Sequence, residues 1–296
     1  MTSAAAQPPA LSSRAENRRR VLHYFLRNRL AVLGLAMVAV LLVIAVFGAA
    51  IAPYPDHIAG KVTAAMRLRP PSGQHWFGTN EMGQDVLSLV LAGTRISLLS
   101  GIAVVVFGAL AGTLIGAVAG YLGGWADEIV MRLTDLMLAL PSLILAMAVA
   151  AALGPGLGNM IFAIALSWWP GYARLVRGEV LAKKEEMYVL AARAIGAGGP
   201  RILLRHVLPN VMSPIVVKMS LDIGFAILTV ASLGFIGIGV RPPTPEWGIL
   251  LSVARVNMPD SWWTAIFPGL AIFAAVFAFN LLGDGLRDAL DPQGRR

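Results

Sequence analysis

Six long apolar runs dominate this chain of 296 residues and constrain its fold more than any other feature. They cover residues 30–52, 96–121, 129–153, 160–180, 214–239 and 264–286. An α-helix rises about 1.5 Å per residue, so each run can cross a hydrocarbon layer about 30 Å thick. Only 14% of the residues are charged, against about 25% in soluble domains. The sequence therefore predicts an all-α, polytopic membrane protein with six transmembrane helices.

Basic residues are distributed unevenly around the predicted helices. If residues 1–29 are placed in the cytoplasm, 17 of the 24 Lys and Arg residues fall on that side, six fall on the other, and Lys218 lies within the fifth run. Cytoplasmic loops of membrane proteins are enriched in Lys and Arg. Both termini are therefore predicted to be cytoplasmic. The net charge of +8 is explained by this topology, and no nucleic-acid partner is expected.

The predicted helices leave little room for a second domain. Residues 1–29 form a predicted cytoplasmic tail, residues 30–288 the membrane domain, and residues 289–296 another cytoplasmic tail. Longer connections are an external segment at 53–95, a cytoplasmic loop at 181–213 and an external loop at 240–263. The first apolar run is longer than the core of a signal peptide, about 7–15 residues, so we expect it to be retained. Any bulky catalytic or ligand-capturing domain must then belong to another chain.

Residue types that support catalysis or cofactor binding are scarce. Cysteine is absent, which excludes disulfides and thiolate metal sites. The phosphate-binding motif G-x-x-x-x-G-K-[ST] is absent from the sequence as well. We therefore expect a non-enzymatic chain without a cofactor or metal of its own.

Two pairs of ionisable residues lie in or near the apolar runs. Lys218 and Asp222 are four residues apart in the fifth run, so they share a helix face and can neutralise each other. Asp135 follows Arg132 by three residues near the start of the third run. One interpretation is an intramembrane ion relay. The other is structural pairing near a cytoplasmic helix end, with the Lys218 side chain extending to the interface.

The cytoplasmic loop contains a short basic element with helical character. Residues 188–195 favour a helix, and Gly196 is expected to end it. Pro200 suits the first turn of a second helix, which Pro209 ends. The first helix carries small side chains that allow close approach of another backbone: Ala191, Ala192 and Ala194. The element is either a docking site for a partner chain or an amphipathic connector resting on the bilayer.

This loop resembles the cytoplasmic loop of ABC importer permeases, which follows the pattern E-A-A-x3-G-x9-I-x-L-P. Leu190 stands at the Glu position and His206 at the Ile position, so the match is partial. We therefore expect coupling to an ATPase through packing and backbone fit rather than through a salt bridge at Leu190. The expected coupling residues are Leu190, Ala191, Ala192, Arg193, Ala194, Gly196, Leu208 and Pro209.

Four further segments are similar to the second, C-type permease subunit of dipeptide and oligopeptide importers. They are FGTNEMGQDVLSLVLAGTRISLL (77–99), GYLGGWADEIVMRLTDLMLALPSLILA (120–146), GVRPPTPEWGILLS (239–252) and FPGLAIFAAVFAFNLLGDGLRDALDP (267–292). The similarity runs from about Arg18 to Pro292. It implies the type I ABC importer permease fold and a place in the bacterial cytoplasmic (inner) membrane.

The resemblance also implies a set of partners. They are a homologous sister permease, two ABC ATPases that carry ATP and Mg²⁺, an extracytoplasmic binding protein and a peptide substrate. The cytoplasmic helix would transmit ATPase closure to the membrane helices. In the external loop, contact with the binding protein or a place at the outer gate is expected for Pro243, Thr244, Pro245, Glu246 and Trp247. These prolines can equally serve to stiffen the loop.

Two other functional classes remain open at the level of sequence. An ion-coupled secondary carrier would transport its substrate without an ATPase, and a membrane scaffold would transport nothing. Within the resembling family, importers of nickel, glutathione and opines have similar permeases, so the sequence does not identify the cargo.

Overall fold

The computed structural model describes residues 23–290. Most of this range is helical, and it contains no β-strand; a single isolated bridge pairs Thr79 with Asp85. The predicted all-α class is thereby confirmed over the described range. Most of the two predicted cytoplasmic tails, residues 1–22 and 291–296, lies outside it.

The helices form a bundle in which long membrane-sized segments alternate with short ones. In chain order they are α1 (Arg29–Ile51), α2 (Pro55–Ile58), α3 (Val86–Leu122), α4 (Gly124–Leu138), α5 (Ser142–Leu153), α6 (Leu157–Lys183), α7 (Met187–Ala194), α8 (Gly199–Ile202), α9 (Met212–Ile236), α10 (Trp247–Ala254) and α11 (Trp263–Leu290). After α8 the backbone continues as a π-helix, Leu203–Val207, and a 3₁₀ turn, Leu208–Asn210.

Side-chain caps begin two of the long helices. The Asn28 carboxamide oxygen accepts from the N–H groups of Leu30 and Ala31, which satisfies two otherwise unpaired donors of α1. Asp85 caps α3, because its carboxylate accepts from one backbone donor, the Ser88 N–H, at 2.8 Å. Because of this cap, α3 begins at Val86, ten residues before the predicted start of the second membrane run.

Four helices are long and apolar enough to cross a membrane, namely α1, α3, α9 and α11. The third predicted run is broken, because α4 and α5 meet at an angle of 91°; counted as one span, this pair raises the number to five. The fourth predicted run corresponds to α6, which has 27 residues but is interrupted by polar residues such as Asn159, Arg174 and Arg177. Length and composition therefore support four to five spans in the described range, fewer than the six predicted.

Helices α3 and α6 form the most extensive interface of the bundle. Glycines recur every four residues along the contacting face of α3, at positions 108, 112, 116 and 120. A Cβ atom added at Gly112 would lie 2.5 Å from the Tyr172 Cβ, and one at Gly116 would lie 2.8 Å from the Ala173 Cα. Small residues at this spacing allow two membrane helices to bring their backbones together.

Helix α3 has 37 residues and is about 55 Å long, so it runs from one end of the bundle to the other. Different parts of the chain pack against its two ends. At one end its first turns pack with Trp263 at the start of α11. At the other end Ala117 packs against the connector, defined here as residues 184–211 between α6 and α9. Residues 25, 31 and 289 cluster together, and Arg287 shares a cavity with Asn210. Both ends of the described chain therefore lie at the connector end.

Ion pairs fix the bent α4–α5 unit to α6. The Arg177 guanidinium donates to both carboxylate oxygens of Asp127, at 3.0 and 2.6 Å. Asp135 pairs with Arg174, while Arg132 pairs with Glu128 on its own helix. The pairing of Arg132 with Asp135 considered from the sequence is therefore wrong: each residue has a nearer partner, and for Asp135 that partner is 39 positions away in the chain.

A buried histidine–aspartate cluster holds the segment before α3. His75 Nδ1 lies 2.9 Å from an Asp85 carboxylate oxygen, and the Asp85 N–H donates to His57 Nδ1 at 2.9 Å. The Tyr54 ring packs against both imidazoles, and the Tyr54 N–H donates to the Ser88 hydroxyl. Burial lowers the pKa of His57, although the Asp85 carboxylate opposes this effect. The cluster therefore favours a neutral imidazole at residue 57.

Candidate functional site

The connector begins with α7, which ends at a left-handed glycine. Gly196 has φ +82°, and its N–H donates to the Arg193 carbonyl while the Ala197 N–H donates to the Ala192 carbonyl. These two bonds form a Schellman motif, which satisfies carbonyls left unpaired at a helix end. The structure thus ends α7 where the sequence predicts. The second helix follows, with Pro200 in its first turn.

The inner face of the connector packs against the bundle. Val189, Ala192, Ile202 and Val207 are buried in one apolar cluster that includes Val176 and Val180 of α6. This buried apolar contact resists displacement of the connector relative to α6, because such a movement would expose apolar surface to water.

Pro209 has no N–H to donate, so a regular α-helix cannot continue through it. The π-helical segment before Pro209 provides a different pattern of backbone hydrogen bonds. The Leu208 N–H reaches back five residues to the Leu203 carbonyl. The Asn210 side chain donates to the His206 carbonyl at 2.6 Å, so this carbonyl is satisfied without a regular helix. Leu208 packs against the apolar cluster, while Pro209 is exposed at the surface.

The outer face of α7 is apolar and exposed. Met187 is 81% exposed, Ile195 is 86% exposed and Leu190 is 42% exposed. The same surface carries three further expected coupling residues: Ala191, Arg193 and Ala194. Isolated exposed apolar residues are common on proteins, but a cluster at one tip marks an interaction surface. We call this surface, residues 187, 190, 191, 193, 194 and 195, the docking face.

Ala192 does not belong to the docking face. It is only 5% exposed and packs inward, three residues after Val189 on the same side of α7. The expected small surface for a partner therefore consists of Ala191 and Ala194, and Ala192 instead allows α7 to lie close to the bundle.

Contacts at the base link the connector to α3. The Lys184 ammonium donates to the Gly120 carbonyl at 3.1 Å, near the end of α3. A Cβ at Gly199 would lie 3.3 Å from the Tyr121 ring, so the second connector helix also rests on α3. A displacement of the connector must therefore act on α3 as well as on α6.

The external residues predicted to meet a binding protein divide into two groups. Glu246 and Trp247 are fully buried. The Glu246 carboxylate accepts from the N–H groups of Gly248 and Ile249 at 2.9 and 3.0 Å, which caps α10, and the Ser97 hydroxyl donates to it. In this conformation both side chains support the fold instead of facing a partner.

The remaining external residues lie at a surface cleft. Pro243 is exposed, Thr244 is half-buried and Pro245 is buried at its base. Together they line a cleft with Glu81 and Met82, which come from the segment before α3. Burial raises the pKa of the Glu81 carboxyl. Two segments predicted to be external thus meet at one place.

The structure brings Lys218 and Asp222 together on α9. The Lys218 ammonium lies 3.0 Å from an Asp222 carboxylate oxygen. Tyr172, on α6, donates its hydroxyl proton to the same carboxylate at 2.6 Å. Tyr172 and Asp222 are 50 positions apart in the chain, and no local sequence pattern predicts their contact. Residues 23–290 contain no group of three His, Cys, Asp or Glu side chains able to hold a metal ion.

These features define a class of protein: a multi-pass helical membrane protein whose connector packs against the bundle on one side and exposes an apolar face on the other. Residues 112–296 match the family described as "Binding-protein-dependent transport system inner membrane component". Residues 17–71 match the "N-terminal TM domain of oligopeptide transport permease C".

Similar proteins are the "Glutathione transport system permease protein GsiD" of Escherichia coli O6:K15:H31 (strain 536 / UPEC) and that of Shigella boydii serotype 4 (strain Sb227). Each is 48% identical to this chain over 269 residues, which is 91% of this chain and 88% of the relative. The chain therefore belongs to the ABC importer permeases, in the family that serves peptides, opines and nickel. It is an inner-membrane transport protein, and its resemblance to the C-type subunit is consistent with these matches.

Proposed function

We propose that this chain forms half of the translocation path in an ATP-driven importer of dipeptides or short oligopeptides. One observation carries the proposal: the docking face is apolar and exposed, while the inner face of the same short helix is buried in the bundle. Within the permease family, such an element is suited to receive force from another chain. We place it in the cytoplasm, with both termini, as the distribution of basic residues predicts.

The mechanism follows from the contacts of the connector. Two ATPase subunits hold ATP and Mg²⁺; one of them receives the docking face of this chain in a surface groove and the other receives the matching helix of the sister permease, while this chain supplies no catalytic residue. Closure of the ATPases displaces α7, and the contacts of the connector with Val180 and Gly120 pass the displacement to α6 and α3. The path then alternates between inward-facing and outward-facing states, together with a sister permease. A binding protein delivers the cargo at the cleft beside Pro243 and Glu81.

The names of the similar proteins support a more specific proposal for the cargo. Glutathione is a short peptide with one ammonium and two carboxylate groups, and it is the cargo named for those relatives. We propose a short peptide of this kind for this chain, and nickel or an opine as the alternative that the family allows. The alternative of an ion-coupled carrier predicts uptake driven by an ion gradient without any ATPase.

Reconstitution separates these functions. The chain, its sister permease, the two ATPases and the binding protein are placed in liposomes, and peptide uptake is measured with ATP, without ATP and under an imposed ion gradient. The proposal expects uptake only with ATP and loaded binding protein. Uptake by the two permeases alone along an ion gradient would support the carrier.

A matched pair of variants tests the docking face in the same preparation. Ile195→Asp adds a charge to the docking face and should reduce co-purification of the ATPases and ATP-driven uptake. Val62→Asp adds the same charge to an exposed apolar residue, 60% exposed, in the segment before α3. It should leave co-purification unchanged. Equal co-purification of both variants would argue against docking at α7.

A further inference from the structure

An open cavity, lined by both apolar and ionisable side chains, lies between α6, α9 and α11 at the connector end of the bundle. Its volume is about 670 Å³, which is large enough for a small peptide. Five ionisable side chains line it: Glu179, Lys183, Lys218, Asp222 and Arg287. They come from three separate helices, so the folded bundle assembles the cavity.

The ion pair on α9 has hydrogen-bonding capacity left for a ligand. The Lys218 ammonium has three protons, and the described chain supplies it with the two oxygens of Asp222, at 3.3 and 3.0 Å. Asp222 accepts from Lys218 and Tyr172, and a carboxylate can accept further bonds. The Lys218 side chain is 35% exposed and that of Asp222 is 19% exposed, so the cavity reaches both.

Tyr172 positions this pair. Its ring is fully buried, its hydroxyl holds Asp222, and the Lys218 ammonium lies 4.9 Å from the ring centroid. The aromatic ring stabilises the positive charge of the Lys218 ammonium, and the N–H groups of this ammonium remain free to donate hydrogen bonds. The pair is thus fixed from the α6 side and open towards the cavity.

The charges of the cavity indicate what it can hold. Lipid chains do not solvate charged groups, and ionisable residues in membrane proteins face the protein interior or a water-filled cavity. Three of the five side chains are cationic and two are anionic. A ligand with two carboxylates and one ammonium complements this arrangement.

We propose that the cavity is a selectivity site for short anionic peptides, in which Lys218 binds a peptide carboxylate and Asp222 binds the peptide ammonium. The inference rests on the proposed function, since it concerns cargo within the path. Arg287 attracts the second carboxylate, Lys183, which pairs with Glu186 at 3.3 Å, adds positive charge beside it, and Tyr172 keeps Asp222 in place.

The test uses the complete reconstituted complex and two labelled peptides. One is a tripeptide with one ammonium and two carboxylates, and the other is the same peptide with one carboxylate converted to an amide. The readout is the ratio of their ATP-driven uptake. Comparing this ratio between variants cancels selection by the binding protein, because the same binding protein is used throughout.

Lys218→Gln should lower the ratio of anionic to amidated peptide at least about tenfold, the effect of losing one charge-assisted hydrogen bond. If that variant fails to assemble, K218Q/D222N serves, because it keeps a neutral pair of the same shape beside Tyr172. Arg132→Gln is the matched control: it breaks another i, i+4 ion pair, with Glu128, on a different helix. The control ratio should equal that of the wild type.

The outcomes separate the two proposals. Wild-type uptake driven by ATP, with a ratio unchanged in K218Q/D222N, overturns the selectivity site and leaves the proposed function standing. Absence of ATP-driven uptake in the wild-type complex overturns both. A fall in the ratio for the cavity variants, with the ratio of Arg132→Gln unchanged, supports the site.

Discussion

Replacing Gly116 with alanine should destabilise the contact between α3 and α6. The added Cβ would overlap the Ala173 carbonyl oxygen and lie 2.8 Å from its Cα, whereas ordinary contacts begin near 3.4 Å. The obstacle is backbone, so the helices must separate by about half an ångström or more. Overpacking of this kind costs about 1–3 kcal/mol. We take the upper end, about 3 kcal/mol, because no side chain can rotate away.

Alanine also has a better helix propensity than glycine, by about 1 kcal/mol. The expected net loss for Gly116→Ala is therefore about 2 kcal/mol. At about 2–4 °C per kcal/mol for a chain of this size, Tm should fall by roughly 4–8 °C. Thermal unfolding of the purified chain in detergent measures this shift.

Gly178→Ala is the matched control on the partner helix. A Cβ at Gly178 meets no atom within 4 Å, so only the gain in helix propensity applies. Its Tm should equal or exceed that of the wild type. A Gly116→Ala chain as stable as the Gly178→Ala chain would refute close backbone packing as the basis of the α3–α6 interface.

Glu246→Ala removes the acceptor of two buried N–H groups at the start of α10, so unfolding in detergent should show a loss of about 2–4 kcal/mol, and Glu246→Gln a smaller one. Because burial lowers the pKa of His57, the unfolded chain binds protons more readily; stability should therefore fall as pH drops below about 6.5, and Tm against pH should flatten in His57→Asn. Gly196→Ala forces a side chain into φ +82° and should cost about 1 kcal/mol, whereas Gly198→Ala, at φ −67°, should not.

Local signals in the sequence were sufficient to place the first helix of the connector and the start of the second. The predicted second helix is α-helical only over Gly199–Ile202 and continues as a π-helix and a 3₁₀ turn. Gly196 and Pro200 act through their own backbone conformations, and these depend little on distant residues. The apolar runs likewise located α1, α9 and α11 within a few residues. The predicted single helix over 129–153 failed because the chain turns at Pro141, a signal present in the sequence but overridden by the length of the run.

The orientation of side chains on α7 could not be read from the sequence. Val189, Leu190, Ala191 and Ala192 are consecutive apolar residues, so periodicity does not distinguish an inner from an outer face. The structure resolves this by packing Val189 and Ala192 against α6 and leaving Leu190 outside.

Contacts between distant segments were also beyond the sequence. Ser97 meets Glu246 across 149 positions, and Tyr172 meets Asp222 across 50. Their geometry depends on the packing of whole helices. The glycine repeat in α3, by contrast, was visible in the sequence as four glycines at a spacing of four, which indicates a closely packed helix face, although the partner helix α6 follows only from the structure.

Disulfide cross-linking between the connector and an ATPase subunit is the sharpest test of coupling through α7. The chain has no native cysteine, so single cysteines can be introduced without background. Ala194→Cys, on the docking face, should cross-link to a cysteine in the ATPase groove of the assembled complex, and ATP should change the yield. Ala192→Cys, on the buried face, should not react. Equal cross-linking at both positions, or none at Ala194→Cys in a complex that hydrolyses ATP, would contradict coupling through this helix.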